Sequence, residues 1–279
     1  MKGSAKLTAA ALLLLAMATL CLGCNNYQYA ETDQLILDAA DLGSYLGQDN
    51  VVFVDMQSAE DYSAGHLAGA VNITLDQLVI NVPVDNMLTS PAKLSSLLTE
   101  KGIGDDTLVI AYDSNRMDAS RLLWSMMVYG NHNVRVVSGG FQAIQAAGYT
   151  VDTETPQVTP SAGLTLSQDK DPAWYATLKE VQALVNDPAS GTVLLDVRTE
   201  AEYLEGGKIP GALLMDYAGN FYADNTFKDT QATQINYLEA GLDPEKEIII
   251  YCRTSVRAAP VFVRLYDAGY RKIRIYDGA

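Results

Sequence analysis

Ile248-Ile-Ile-Tyr-Cys-Arg-Thr-Ser-Val-Arg-Ala258 passes from an apolar, β-branched run into a short polar loop and then into a helical pattern. The run is short and rich in strand formers, so it reads as a buried parallel strand. The segment Ala258–Ala268 has helical length, and Gly269 after it suits the left-handed cap that closes a helix. Cys252 is thereby placed at the carboxyl end of a strand and at the head of a helix. The pattern occurs twice. Leu108-Val-Ile-Ala-Tyr112-Asp113 aligns with Ile248–Cys252, and the same register matches Gly130 with Gly269 and Val134–Val137 with Ile273–Tyr276 without a gap. Upstream, Val51–Asp55, Asp61-Tyr62 and Gly65-His66-Leu-Ala-Gly69-Ala70 match Val193–Asp196, Glu202-Tyr203 and Gly207-Lys208-Ile-Pro-Gly211-Ala212. Self-similarity over this span marks a duplicated domain. Strands alternate with helical segments such as Ala119–Tyr129, so each copy is expected to be α/β, a mainly parallel sheet flanked by helices.

Working outward, the polar, proline-bearing stretch 151–172 reads as a linker, part of which can pair as a strand. It separates an N-terminal copy over 24–150 from a C-terminal copy over 173–279. Residues 1–23 read differently. Lys2 and Lys6 precede an apolar run from Leu7 to Leu22 that is short for a membrane span, the pattern of a secretory signal. The stretch Leu20-Cys-Leu-Gly-Cys24 resembles a bacterial lipoprotein signal, in which Cys24 would be lipidated and become the mature N-terminus. An ordinary signal peptide cut nearby is the alternative. With Cys21 removed and Cys24 acylated, Cys252 is the last thiol, and no disulfide can form within the mature chain.

Composition narrows the function classes. Lys and Arg number 19 against 34 Asp and Glu, a formal charge of -15, which repels phosphate backbones and argues against nucleic-acid binding. Apolar residues make up 48% and charged residues 19%, a globular profile. Two histidines and three cysteines do not build a zinc finger or multi-cysteine cluster, so no metal and no cofactor is expected.

The chemistry-bearing stretch is Cys252-Arg253-Thr254-Ser255-Val256-Arg257. Ligand sites of parallel sheets lie at the carboxyl ends of strands. A loop here can turn its N–H groups inward as an anion nest at a helix N-terminus. That nest, with Arg253 and Arg257, favours thiolate over thiol. A thiolate in an electropositive cradle suits a nucleophile that attacks an anion.

These residues, with the duplication, resemble the rhodanese family of sulfurtransferases over about residues 30–279. The carriers are Asp196-Val-Arg198, the Gly207-Lys-Ile-Pro-Gly-Ala212 turn, the Cys252-x4-Arg257 loop and Tyr276-Asp277-Gly278. The resemblance implies tandem rhodanese-like domains, an N-terminal copy inactive through Gln57, Asp113 and Asp118, and a catalytic C-terminal copy. It implies that Cys252 takes a sulfane sulfur from thiosulfate or a related donor as a persulfide and passes it to cyanide or a thiol. Arg198 would bind the donor's anionic end, with Arg253, Thr254, Ser255, Val256 and Arg257 around it. Lys208, where the family has His, is expected to be a structural turn residue. Thr254 stands where thiosulfate-specific members often carry Lys. With the leader, the resemblance implies a lipid-anchored protein of the bacterial cell envelope, periplasm-facing or associated with the outer membrane.

Other readings stand beside these. Rhodanese-fold phosphatases and arsenate reductases use a loop one residue longer, and here the sixth residue after Cys252 is Ala258. A non-catalytic sulfur or selenium carrier, or a redox partner for chalcogen oxyanions, is the remaining alternative. Arg198 could instead pair with Glu200 or Glu202. Asp196 is expected to be structural. Asp113 and Arg116 are expected to face solvent, and Asp216–Tyr222 to border the active site or simply pack.

Overall fold

The computed structural model describes residues 34–187 and 190–279; the leader, Cys21 and Cys24 lie outside them. The apolar runs form two five-stranded sheets with one topology. The first contains β1 (Ile36–Leu37), β2 (Val51–Asp55), β3 (Val71–Asn72), β4 (Leu108–Tyr112) and β5 (Val134–Val137), in the order β1-β5-β4-β2-β3. The second contains β6 (Tyr175–Ala176), β7 (Val193–Asp196), β8 (Leu213–Leu214), β9 (Ile248–Tyr251) and β10 (Ile273–Tyr276), in the order β6-β10-β9-β7-β8. Every pairing within both is parallel. Central strands of such sheets are covered on both faces, which is why β9 is buried along its whole length and reads as an unbroken apolar run. The expected strands and the repeat are both present.

Four helices position the two loops: α1 (Asp118–Val128), α2 (Gly140–Ala146), α3 (Glu200–Glu205) and α4 (Ala258–Asp267). α1 and α4 follow equivalent strands and pack on each other at the centre of the molecule. All of α1 is buried, as is α4 from Ala258 to Leu265. Both helices are buried on nearly every side, their polar residues included, and one continuous core runs through this seam from both copies. Within the linker stretch, Val151–Asp152 pairs antiparallel with His66–Leu67, and Leu164 and Leu166 are buried.

A charged contact also joins the copies. Arg121 on α1 pairs with Asp277, just after β10, at 2.9 Å, both fully desolvated. The Leu88 N–H donates to the other Asp277 oxygen at 2.7 Å. The Arg121 guanidinium lies 4.6 Å from the Trp124 ring centroid.

Candidate active site

Cys252 leaves the end of β9 and is the free cysteine among the described residues. Its side chain has no exposed surface, yet it forms part of the wall of a cavity of about 360 Å³ shared with Arg198, Glu202, Lys208, Ile209, Tyr251 and Arg253. Of the residues expected to surround substrate, Arg198 and Arg253 line this cavity and Thr254, Ser255, Val256 and Arg257 do not. Ser255 adopts φ 58°, folding the loop back on itself, and its hydroxyl donates to the Tyr276 carbonyl at 3.0 Å. Val256 is buried behind the loop.

The first copy shows what this loop shape binds. Arg116, the counterpart of Ser255, has φ 68°. The Asp113 carboxylate accepts the Arg116 N–H at 2.8 Å and the Ala119 N–H at 2.9 Å. Asp113 is therefore buried, not solvent-facing, because its carboxylate is the anion that fills the nest. Burial pushes its carboxyl up, opposed by the donated N–H groups. In the second copy, among the described residues, the N–H groups of Arg253, Thr254, Ser255 and Val256 have no such acceptor. Arg116 is likewise held in the protein, its guanidinium 5.2 Å from the Phe221 ring centroid and 5.8 Å from that of Tyr217. Those two rings belong to Asp216–Tyr222, which packs there and contributes nothing to the Cys252 cavity.

Arg198 pairs with neither Glu200 nor Glu202. Its Nε donates to Asp196 Oδ1 at 2.9 Å and its Nη2 to Oδ2 at 2.6 Å. Nη2 also reaches the Gly207 carbonyl at 2.7 Å. Asp196, fully buried, takes the Arg198 N–H as well. In the first copy Gln57 makes the same bridge without charge, from Asp55 at 2.9 Å to the Gly65 carbonyl at 3.4 Å. The bridge therefore needs only an amide. What Arg198 adds is a positive charge in the cavity wall.

Arg257 is held by Glu202. Its terminal nitrogens bind the two Glu202 oxygens at 2.6 and 2.7 Å, a bidentate pair. The carboxylate, and after it the Cys252 sulfur facing the same guanidinium, hold the Arg257 pKa above its ordinary value. In return Arg257 draws Glu202 down to about 2. Glu202 was legible as the acidic end of a capping box, since Thr199 lies three residues before it. The box is present, with the Thr199 N–H donating to Glu202 at 3.1 Å. Its reach to Arg257 was not legible. Tyr251, also missed, takes the Ile209 N–H on its hydroxyl at 3.2 Å, as Tyr112 takes that of Leu67 at 2.9 Å.

A parallel α/β fold with a cysteine loop at a strand end and arginines beside it defines the class of rhodanese-like proteins. The chain belongs to that family: the model of the rhodanese-like domain matches residues 38–147 and 177–279. It is 30% identical to the thiosulfate sulfurtransferase of Corynebacterium glutamicum over 272 residues, covering 90% of this chain and 88% of that protein. It is 28% identical to the sulfur carrier protein TtuD of Thermus thermophilus, covering 78% of this chain and 82% of that one. The fold superimposes on the 3-mercaptopyruvate sulfotransferase SseA of Escherichia coli with a TM-score of 0.78 at 22% identity, over 88% of this chain and 98% of that one.

Proposed function

We infer that the chain is a sulfurtransferase that carries sulfane sulfur on Cys252. The observation that carries this reading is the loop itself: the turn that binds a carboxylate in the first copy, with Arg116 at φ 68°, recurs after a cysteine in the second, with Ser255 at φ 58°. The Cys252 thiolate attacks the outer sulfur of thiosulfate, the S–S bond breaks, and sulfite leaves with the bonding pair. The persulfide anion then sits where the Asp113 carboxylate sits in the first copy. An acceptor nucleophile, cyanide or a thiolate, attacks the outer sulfur, and the Cys252 thiolate departs. This is covalent catalysis through an activated nucleophile. Thiosulfate as donor is supported by the C. glutamicum relative and by the cations Arg198, Lys208 and Arg253 lining the cavity.

Cyanolysis with thiosulfate, combined with intact mass, tests it. The wild type gains one sulfur, about 32 Da, per chain, and Cys252→Ser gains none and turns over nothing. Turnover surviving in the variant overturns the reading. A mass gain with no turnover on cyanide or thiols makes the chain a sulfur carrier, the role named for TtuD. We further propose a lipid anchor at Cys24 in the bacterial cell envelope, on the leader sequence alone. Radiolabelled palmitate is expected to mark the wild type in cells and not Cys24→Ala.

A further inference from the structure

Lys208 reads from the sequence as a turn residue, and its counterpart His66 is one. His66 is fully buried, and its ring stacks on Tyr62 with centroids 3.8 Å apart and planes 12° from parallel. Its Nδ1 lies 2.8 Å from the Tyr62 carbonyl oxygen. Lys208 fills no such space. It is exposed, lines the Cys252 cavity, and keeps only the aromatic contact, its ammonium 3.9 Å from the ring centroid of Tyr203, the counterpart of Tyr62.

The backbone on either side of Lys208 is pinned by residues of the site. The Gly207 carbonyl accepts from Arg198 Nη2 at 2.7 Å, and the Ile209 N–H donates to the Tyr251 hydroxyl at 3.2 Å. The turn therefore delivers the ammonium to the cavity mouth without loop ordering. The other cations are partly committed. Arg198 is engaged by Asp196 and Arg257 by Glu202. Among the described residues, Lys208 and Arg253 have no carboxylate partner within ion-pair distance. An incoming anion is bound most strongly by cations that need not first release a carboxylate.

We propose that Lys208 is a specificity-determining residue whose ammonium, together with Arg253, holds the anionic end of the sulfur donor and so favours anionic donors over neutral ones. This rests on the sulfur-transfer reading, and its test is built to fail separately from it. The full chain, Lys208→Gln and Lys208→Arg are compared in two ways. One is steady-state kinetics with thiosulfate. The other is the rate of Cys252 alkylation by anionic iodoacetate relative to neutral iodoacetamide, read by mass spectrometry.

Lys208→Gln is expected to raise the thiosulfate KM about 3- to 5-fold, the effect of one partly screened ion pair. It leaves kcat and melting temperature unchanged and lowers the iodoacetate-to-iodoacetamide ratio by a similar factor, and Lys208→Arg restores both. An unchanged ratio overturns the proposal, as does a fall in melting temperature with no change in ratio. If thiosulfate proves not to be a substrate while the ratio still falls, thiosulfate fails as the donor and the anion-binding role of Lys208 stands. If Cys252 resists both reagents, the cavity admits no ligand and the proposal falls.

Discussion

Asp113 stands where Cys252 stands in the other copy, just after the fourth of the five strands in chain order, and carries its own anion into the loop: its carboxylate accepts the N–H groups of Arg116 and Ala119 at 2.8 and 2.9 Å. The first copy has thus lost the nucleophile but kept the receptor, filled from within. Buried N–H donors need partners, and an unmade bond in such a place costs more than a made one contributes.

Emptying that nest is expected to destabilise the fold. Asp113→Ala leaves the N–H groups unsatisfied at about 1–3 kcal/mol, read as a lower urea midpoint. Sulfate or thiosulfate in the buffer is expected to raise the variant's melting temperature more than that of the wild type. Equal shifts in both proteins would mean that the loop needs no anion.

Asp118 gives a pH signature. Burial pushes its carboxyl up to about 6 from an ordinary 3.8. The folded state therefore holds this proton more tightly than the unfolded chain. Stability from this group is complete below pH 4, declines as pH rises through about 6, and stays reduced above. Asp118→Asn removes that step, so its stability relative to the wild type is expected to rise by about 2 kcal/mol between pH 4 and pH 7. Urea titrations at the two pH values measure it, and a difference independent of pH would show that Asp118 is ionised freely.

The pair between Glu202 and Arg257 predicts a competition. Glu202 is held down to about 2, so the pair is complete above pH 4.5 and breaks only as pH falls through about 2. No limb of a pH–rate profile between pH 5 and 8 is expected to belong to Glu202. Glu202→Gln releases both terminal nitrogens of Arg257, and the thiosulfate KM is expected to fall about 2- to 5-fold. A rise in KM would instead make Glu202 the residue that positions Arg257.

Asp277 is expected to be costly to neutralise. Asp277→Asn strands the desolvated Arg121 guanidinium between the two copies, a loss of about 3–5 kcal/mol. Differential scanning calorimetry is expected to show one transition at a lower temperature. An unshifted transition would place water, not Asp277, as the partner of Arg121.

The sequence made the architecture legible because parallel strands buried on both faces leave unbroken apolar runs such as Ile248–Tyr251, and because duplication shows each twice. The cysteine loop was legible for a related reason: its neighbours are fixed by local spacing. The electrostatic pairings were not. Asp196, Glu200 and Glu202 all lie within reach of Arg198 along the chain, and only the bend after β7 selects Asp196. Arg257 finds Glu202 across 55 residues of chain. The burial of Asp113 was hidden because a carboxylate in a loop is ordinarily solvated, and the exposure of Lys208 because its counterpart His66 is buried.

The seam of α1 against α4 has a consequence for how this protein could be shortened. α1 is buried along its whole length and α4 from Ala258 to Leu265, so each half supplies part of the other's wall. Splitting the gene at the linker is expected to give two sticky fragments, each exposing the apolar side chains it now buries at the seam. The half that lacks the cysteine thus acts as a tethered wall for its partner's core.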